Sequence, residues 1–266
     1  MKTKNLSGML LLLFCVIGFA ACSEEEIKPL SFYNDSYEVP VHGFRYLGLK
    51  SGNGDYTLHV ENQETLSASV SSGWSDPNGV IQVYGRLRGE TVLSVMDNAT
   101  QEVKTMRIKV TDNYETFRVS VYNNTHPTLN GELFVFLINN KERDAYFFRL
   151  NRTGTDYDWL LQAKGTYAFT EEDAQRYLTL TYVTDAEGRF TIAELAPAPH
   201  KFLIKDGSRQ LFHRLSENLN LGWEDAVTRE SPVEPMSLGM KLEEVGTDYK
   251  LAGWLEEVFM PEGILK

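Results

Sequence analysis

The sequence predicts an all-β chain in two parts, and three observations carry that reading. Short segments rich in Val, Ile, Thr, Tyr and Phe recur between clusters of Gly, Asn, Asp and Pro, the punctuation of strands and turns. Several alternate with a period of two: Tyr56, Leu58 and Val60; Met106, Ile108 and Val110; Phe117, Val119 and Val121. That period places each set on one face of a strand. Sustained helical periodicity, long repeats and low-complexity tracts are absent from the sequence.

The first 21 residues stand outside this pattern. Lys2 and Lys4 form a basic start, and the stretch from Met9 to Ala21 is almost wholly apolar. A span across a bilayer takes about 20 apolar residues, so this shorter run reads as a secretory signal. It ends in Gly18-Phe19-Ala20-Ala21-Cys22. That ending resembles the bacterial lipobox, which implies cleavage before Cys22 and lipidation of Cys22. Each buried methylene adds roughly 0.8 kcal/mol of membrane affinity, so the two or three acyl chains that the resemblance implies would hold firmly.

Residues 22–29 form an acidic tether. Three carboxylates in Ser23-Glu24-Glu25-Glu26 cannot pack into a core and stay solvated. The run resembles the export signal of surface lipoproteins of the Bacteroidota. This implies an outer-membrane anchor facing outward, with a periplasm-facing anchor as the alternative.

Residues 30–112 read as seven strands: Tyr37–Val41, Arg45–Leu49, Tyr56–Val60, Leu66–Val70, Val80–Tyr84, Thr91–Met96 and Val103–Thr111. This spacing suits a Greek-key sandwich. The stretch Gly79-Val80-Ile81-Gln82-Val83-Tyr84-Gly85, then Gly89-Glu90-Thr91-Val92-Leu93-Ser94-Val95, resembles the bacterial Ig-like families of surface proteins. The resemblance implies an Ig-like fold and leaves function open, because such modules serve as spacers, stalks and binding domains alike.

Residues 113–116 join the two parts, and residues 117–266 are expected to form a larger, β-sandwich-like domain. Leu133–Ile138 is apolar on both faces and predicts a central strand. Thr184-Asp185-Ala186-Glu187-Gly188-Arg189-Phe190-Thr191-Ile192, followed by Leu195–Phe202, resembles the hairpin and next strand of carboxypeptidase-regulatory-like, transthyretin-like sandwiches. One helix is expected at Thr170–Leu178, with Thr170 as its cap and three acids in its first turn. Arg214–Leu221 fits either helix or loop. Met240–Val245 and Tyr249–Trp254 predict a hairpin across Gly246-Thr247-Asp248.

The sequence excludes several chemistries. Loss of residues 1–21 removes two lysines and no acid, moving the formal charge from −11 to −13. Such a surface is unsuited to nucleic acid, which is bound by neutralising phosphates. Cys15 leaves with the signal and Cys22 is consumed by lipid, so the mature fold has no thiol chemistry. His42, His59, His126, His200 and His213 lack the spacing of metal-ligand pairs, and GxSxG and phosphate-binding glycine patterns are missing. No cofactor, metal or catalytic set is therefore expected.

Aromatics beside acids or amides are the remaining lead. Trp74 lies in a turn-rich loop, Tyr157 and Trp159 alternate with Asp156 and Asp158, and Trp223 precedes Glu224-Asp225. Such rings suit stacking on sugar CH groups, or else the plugging of a fold. The expectation is a lipid-anchored cell-surface protein with a non-catalytic binding or scaffold role. Its partners would be the membrane, through its lipid, and a glycan or surface protein. Glycan capture, glycoside hydrolysis by two distant carboxylates, and a place in a pilus or envelope assembly are the alternatives.

Overall fold

The structure is a computed structural model and describes residues 27–71, 76–121, 126–131, 133–153, 156–191, 194–223 and 238–265. The signal, Cys22 and Trp74 lie outside these residues, as does the side chain of Tyr157.

The first eight strands are β1 (Ser31–Phe32), β2 (Ser36–Pro40), β3 (Phe44–Ser51), β4 (Tyr56–Val60), β5 (Leu66–Val70), β6 (Val80–Gly85), β7 (Gly89–Asp97) and β8 (Val103–Thr111). They form two sheets, β1-β3-β6-β5 and β2-β8-β7-β4. β2 runs parallel to β8 and the other pairs are antiparallel. The two sheets pack face to face as a β-sandwich, with β2 at one edge beside β8. Alternate residues of both sheets meet in one core, with Val39, Leu47, Ile81, Leu93 and Ile108 among the buried side chains.

The remaining strands are β9 (Tyr114–Val121), β10 (Leu133–Ile138), β11 (Asp144–Thr153), β12 (Asp156–Glu172), β13 (Gln175–Tyr182), β14 (Ala198–Gly207), β15 (Gly239–Glu244) and β16 (Lys250–Glu256). Each pairs antiparallel with the next, and β16 returns to β9, closing an eight-stranded barrel. The expected sandwich-like arrangement is thus replaced by a closed one. Register shifts in β11–β12 and β14–β15 mark bulges, which bend strands toward closure. Glycine serves the same end: a Cβ on Gly253 would collide with the Phe117 ring and the Arg118 carbonyl.

Inward residues fill this barrel. Phe117, Val135, Phe147, Tyr167, Leu180, Phe202, Leu242 and Leu251 belong to one buried cluster. Outward positions carry Lys164, Lys201, Lys205, Lys241 and Glu243, all engaged in surface ion pairs. An apolar interior under a charged exterior is the reverse of a membrane-spanning barrel.

The expected helix at Thr170–Leu178 is a hairpin instead. Asp173 and Ala174 take left-handed angles, φ 50° and 60°, as a two-residue turn between paired strands requires. Inward burial of Tyr167 on one strand and Leu178 and Leu180 on the other outweighs the local capping signal. The helix α1 lies at Arg209–Leu219, starting earlier than the Arg214–Leu221 stretch. The Ser208 side chain accepts from the Leu211 N–H at 3.1 Å and caps it. Asn220 ends it in the left-handed region. Leu211, Leu215 and Leu219, four residues apart, share a face and plug one end of the barrel.

The last segment, residues 257–265, braces the two parts. Met260 and Leu265 bury against Phe134, Phe136, Ile138 and Phe148 on the outer face of the barrel. This explains why Leu133–Ile138 is apolar on both faces. The same segment bonds to the sandwich: Glu262 pairs with Arg45 at 2.8 Å, and Lys109 donates to the Leu265 carbonyl at 2.7 Å.

Candidate functional site

Two groups of polar residues stand out, one at each end of the barrel. At the α1 end, the sandwich and barrel bound a cleft of about 470 Å³. The sandwich supplies His42, Phe44 and Tyr46; the barrel and α1 supply Asn113, Glu115, Arg214 and Asn218; the brace supplies Glu257 and Phe259. Alternation in β3 puts Phe44 and Tyr46 on the face opposite the core residues Leu47 and Leu49. They are 53% and 49% exposed, and Phe259 is 45% exposed. Large apolar rings left in water around one cleft are unusual enough to need a reason. Phe44 is steadied by Tyr84, ring centroids 4.7 Å apart, and the Tyr84 hydroxyl lies 3.4 Å from His42 Nδ1.

Glu115 lies at the polar floor of this cleft. One carboxylate oxygen accepts from Arg214 Nε at 2.9 Å and from the Asn218 amide. The other, Oε2, is sealed from solvent and has no hydrogen-bond partner among the described residues. Burial pushes its carboxyl pKa up, against the lowering effect of Arg214 and Asn218. Arg214 also reaches Glu257 at 3.5 Å, so one guanidinium bridges a buried and an exposed acid.

The opposite end carries His126, His200 and Glu244. His200 and Glu244 face inward from neighbouring strands, in line with Phe202 and Leu242. His126 comes from the segment that crosses this end. Glu244 is saturated: its oxygens lie 2.8 Å from His200 Nδ1, 3.5 Å from His126 Nε2 and 3.0 Å from the Thr247 hydroxyl. Burial pushes its carboxyl up, but the bonds from His126, His200 and Thr247 outweigh burial and hold the pKa at about 2. The Tyr182 ring stacks on His200 at 4.5 Å, and its hydroxyl bonds Thr128 at 2.8 Å.

Three metal-type donor atoms of this cluster lie within 4.8 Å of one another. The hydrogen bonds argue for a different use. A metal-bound histidine donates its second ring N–H to an acceptor. His126 Nδ1 instead accepts from the backbone N–H groups of Thr128 and Leu129, at 3.2 and 3.0 Å. This assigns the proton to Nε2, aimed at Glu244. Metal coordination there would strip both nitrogens of their protons. The donor set therefore fits a carboxylate-centred network that ties the crossing segment to the barrel wall.

The two tryptophans of interest within the described residues are both packed. The Trp159 ring meets Phe134, Phe136 and Phe148 edge-on at 5.0–6.1 Å. Trp223 packs against Phe169 and Phe212, with Arg176 over its ring at 4.7 Å. Neither contributes to the cleft. Its exposed rings, Phe44, Tyr46 and Phe259, carried no signal in the sequence, because exposure depends on what the fold leaves uncovered.

No family model and no curated protein matches the chain. Among solved structures it is similar to the S-layer protein rSbsC, with a TM-score of 0.28 and 10% identity over 68% of this chain. A structure of SbsC domains 4-9 gives a TM-score of 0.26 at 11% identity over 69% of this chain. The chain spans 25% and 32% of the lengths of those two chains, and 98% of a structure of domains 5-6, where the TM-score is 0.25.

Proposed function

We propose that this chain is a lipid-anchored, non-catalytic cell-surface protein in which an Ig-like sandwich and a filled barrel together present the cleft at their junction. The anchor rests on the likeness of residues 18–22 to the lipobox; the single observation behind the binding role is the lining of that cleft, three half-exposed aromatic rings beside amides and carboxylates. A ligand with apolar CH faces and many hydroxyls suits it, because rings accept the faces while Asn113, Asn218 and Glu257 can bond the hydroxyls. A saccharide has that chemistry. The barrel offers no competing lumen, since its interior is occupied by its own side chains.

Hydrolysis has one observation on its side, the shared hold of Arg214 on Glu115 and Glu257. Against it, Oε1 of Glu115 is committed to Arg214 and Asn218, and Oε2 is sealed. A general acid must reach the leaving oxygen, and neither oxygen is free to do so.

The test is binding of the mature chain, purified in detergent, to laminarin, dextran, xylan, pectin and heparin. Retention of one of these without product, weakened about tenfold in Phe44→Ala or Phe259→Ala, is the expected result. Released oligosaccharide would move the chain to the hydrolases, and no retention would end the saccharide reading. The anchor has separate tests. Palmitate labelling should vanish in Cys22→Ala, and protease added to intact cells should remove the folded part. Protection from that protease would place the anchor facing the periplasm.

A further inference from the structure

Phe259 is out of character with its neighbours. Val258 and Met260 pack into the outer-face cluster, whereas the Phe259 ring stays 45% exposed over the cleft. It does not stand alone there. The Arg45 guanidinium lies 5.0 Å from the centre of its ring and 5.0 Å from that of Tyr37. The same guanidinium donates to the Glu38 carbonyl at 2.7 Å and pairs with Glu262 at 2.8 Å. Arg45 therefore joins three things: the sandwich through Tyr37 and Glu38, the brace through Glu262, and one face of the Phe259 ring. An arginine plane is suited to this because it stacks on rings while its edge still donates in plane.

We propose that Arg45 is the positioning residue of the cleft: it clamps the brace to the sandwich and holds Phe259 with its free face toward the ligand. This rests on the reading of the cleft as the ligand face, and it adds that the face is assembled only when brace and sandwich are joined. Two further bonds fix the brace, the first to the barrel and the second to the sandwich. The Met260 N–H donates to the Tyr114 hydroxyl at 3.0 Å, and the Gly263 N–H donates to Glu38 at 3.2 Å. Glu38 is itself held by Lys109 at 3.5 Å.

The experiment has two readouts on the mature chain in detergent. Hydrogen exchange at Gly263, whose N–H is bonded to the sandwich, should quicken about tenfold in Arg45→Met, with Arg45→Lys intermediate. Unchanged exchange would overturn the clamp. The second readout is affinity for the tightest-binding polysaccharide of the panel. Arg45→Met should weaken it about tenfold, and should add nothing in a Phe259→Ala background. Equal losses in both backgrounds would overturn positioning through Phe259, because a general structural effect does not depend on that ring. If no polysaccharide binds, the cleft reading fails and hydrogen exchange alone decides the clamp.

Discussion

Each end of the barrel buries a glutamate, and the two behave in opposite ways. Glu115, at the α1 end, has one oxygen held by Arg214 and Asn218 and the other without a partner among the described residues, and its pKa is raised. Glu244, at the far end, has both oxygens bonded, by His126, His200 and Thr247, and its pKa falls to about 2. Burial pushes both upward. Glu115 is the more deeply buried, its side chain 1% exposed against 9% for Glu244, and fewer donors meet its charge, so less of its desolvation is offset. The far end is fastened by its carboxylate. The α1 end is fastened by leucines, and its carboxylate is carried there at some cost.

That contrast breaks if the α1 end does not depend on its apolar plug. Leu215 is fully buried in the barrel core, so Leu215→Ala should lose about 3 kcal/mol through lost burial and the cavity left behind. Urea unfolding at neutral pH measures it. A loss under about 1 kcal/mol would mean that the helix is not a plug in solution.

The helix was legible in the sequence in principle. Ser208 followed by Leu211, Leu215 and Leu219 is a cap and a four-residue stripe. Thr170-Glu171-Glu172-Asp173 offered a competing signal, stronger locally but false, because strand pairing of Phe169 with Leu178 decided that segment. The strands were legible because side-chain alternation is a local property. Barrel closure was not, since it depends on β16 meeting β9 across more than a hundred residues of chain. The far-end cluster was hidden for a related reason. His126 reads as a loop histidine, and only the fold buries it beside two partners far along the chain.

A smaller effect is expected at the far end. Glu244→Gln removes the charge and turns an amide N–H₂ toward a ring N–H, leaving donors facing donors. The cost should be about 2 kcal/mol at neutral pH. The variant should also change the acid limb. A carboxyl whose folded pKa of about 2 lies below the ordinary 4.5 stabilises the fold above 4.5 and loses that contribution as pH falls toward 2. Glu244→Gln should therefore flatten the decline of stability between those values. An unchanged slope would show that the histidines do not hold the carboxylate as described.

The smallest effect belongs to Glu115, and there the sign reverses. A carboxyl with a raised folded pKa costs stability while ionised, and that cost disappears as pH falls through its folded value. Glu115→Gln keeps an acceptor for Asn218 and removes a buried charge, leaving Arg214 its contact with Glu257. Exchange of a buried ion pair for a neutral group is often close to neutral, so the change at pH 7 should stay within about 1 kcal/mol. The pH profile is more telling than the magnitude. Wild type should gain stability relative to Glu115→Gln as pH is lowered from 7 toward 4.5, because only wild type can relieve the charge by taking up a proton. Paired unfolding curves at several pH values measure the difference. If the gap moves the other way, Glu115 is held as firmly as Glu244, and the two ends of the barrel are fastened by the same means after all.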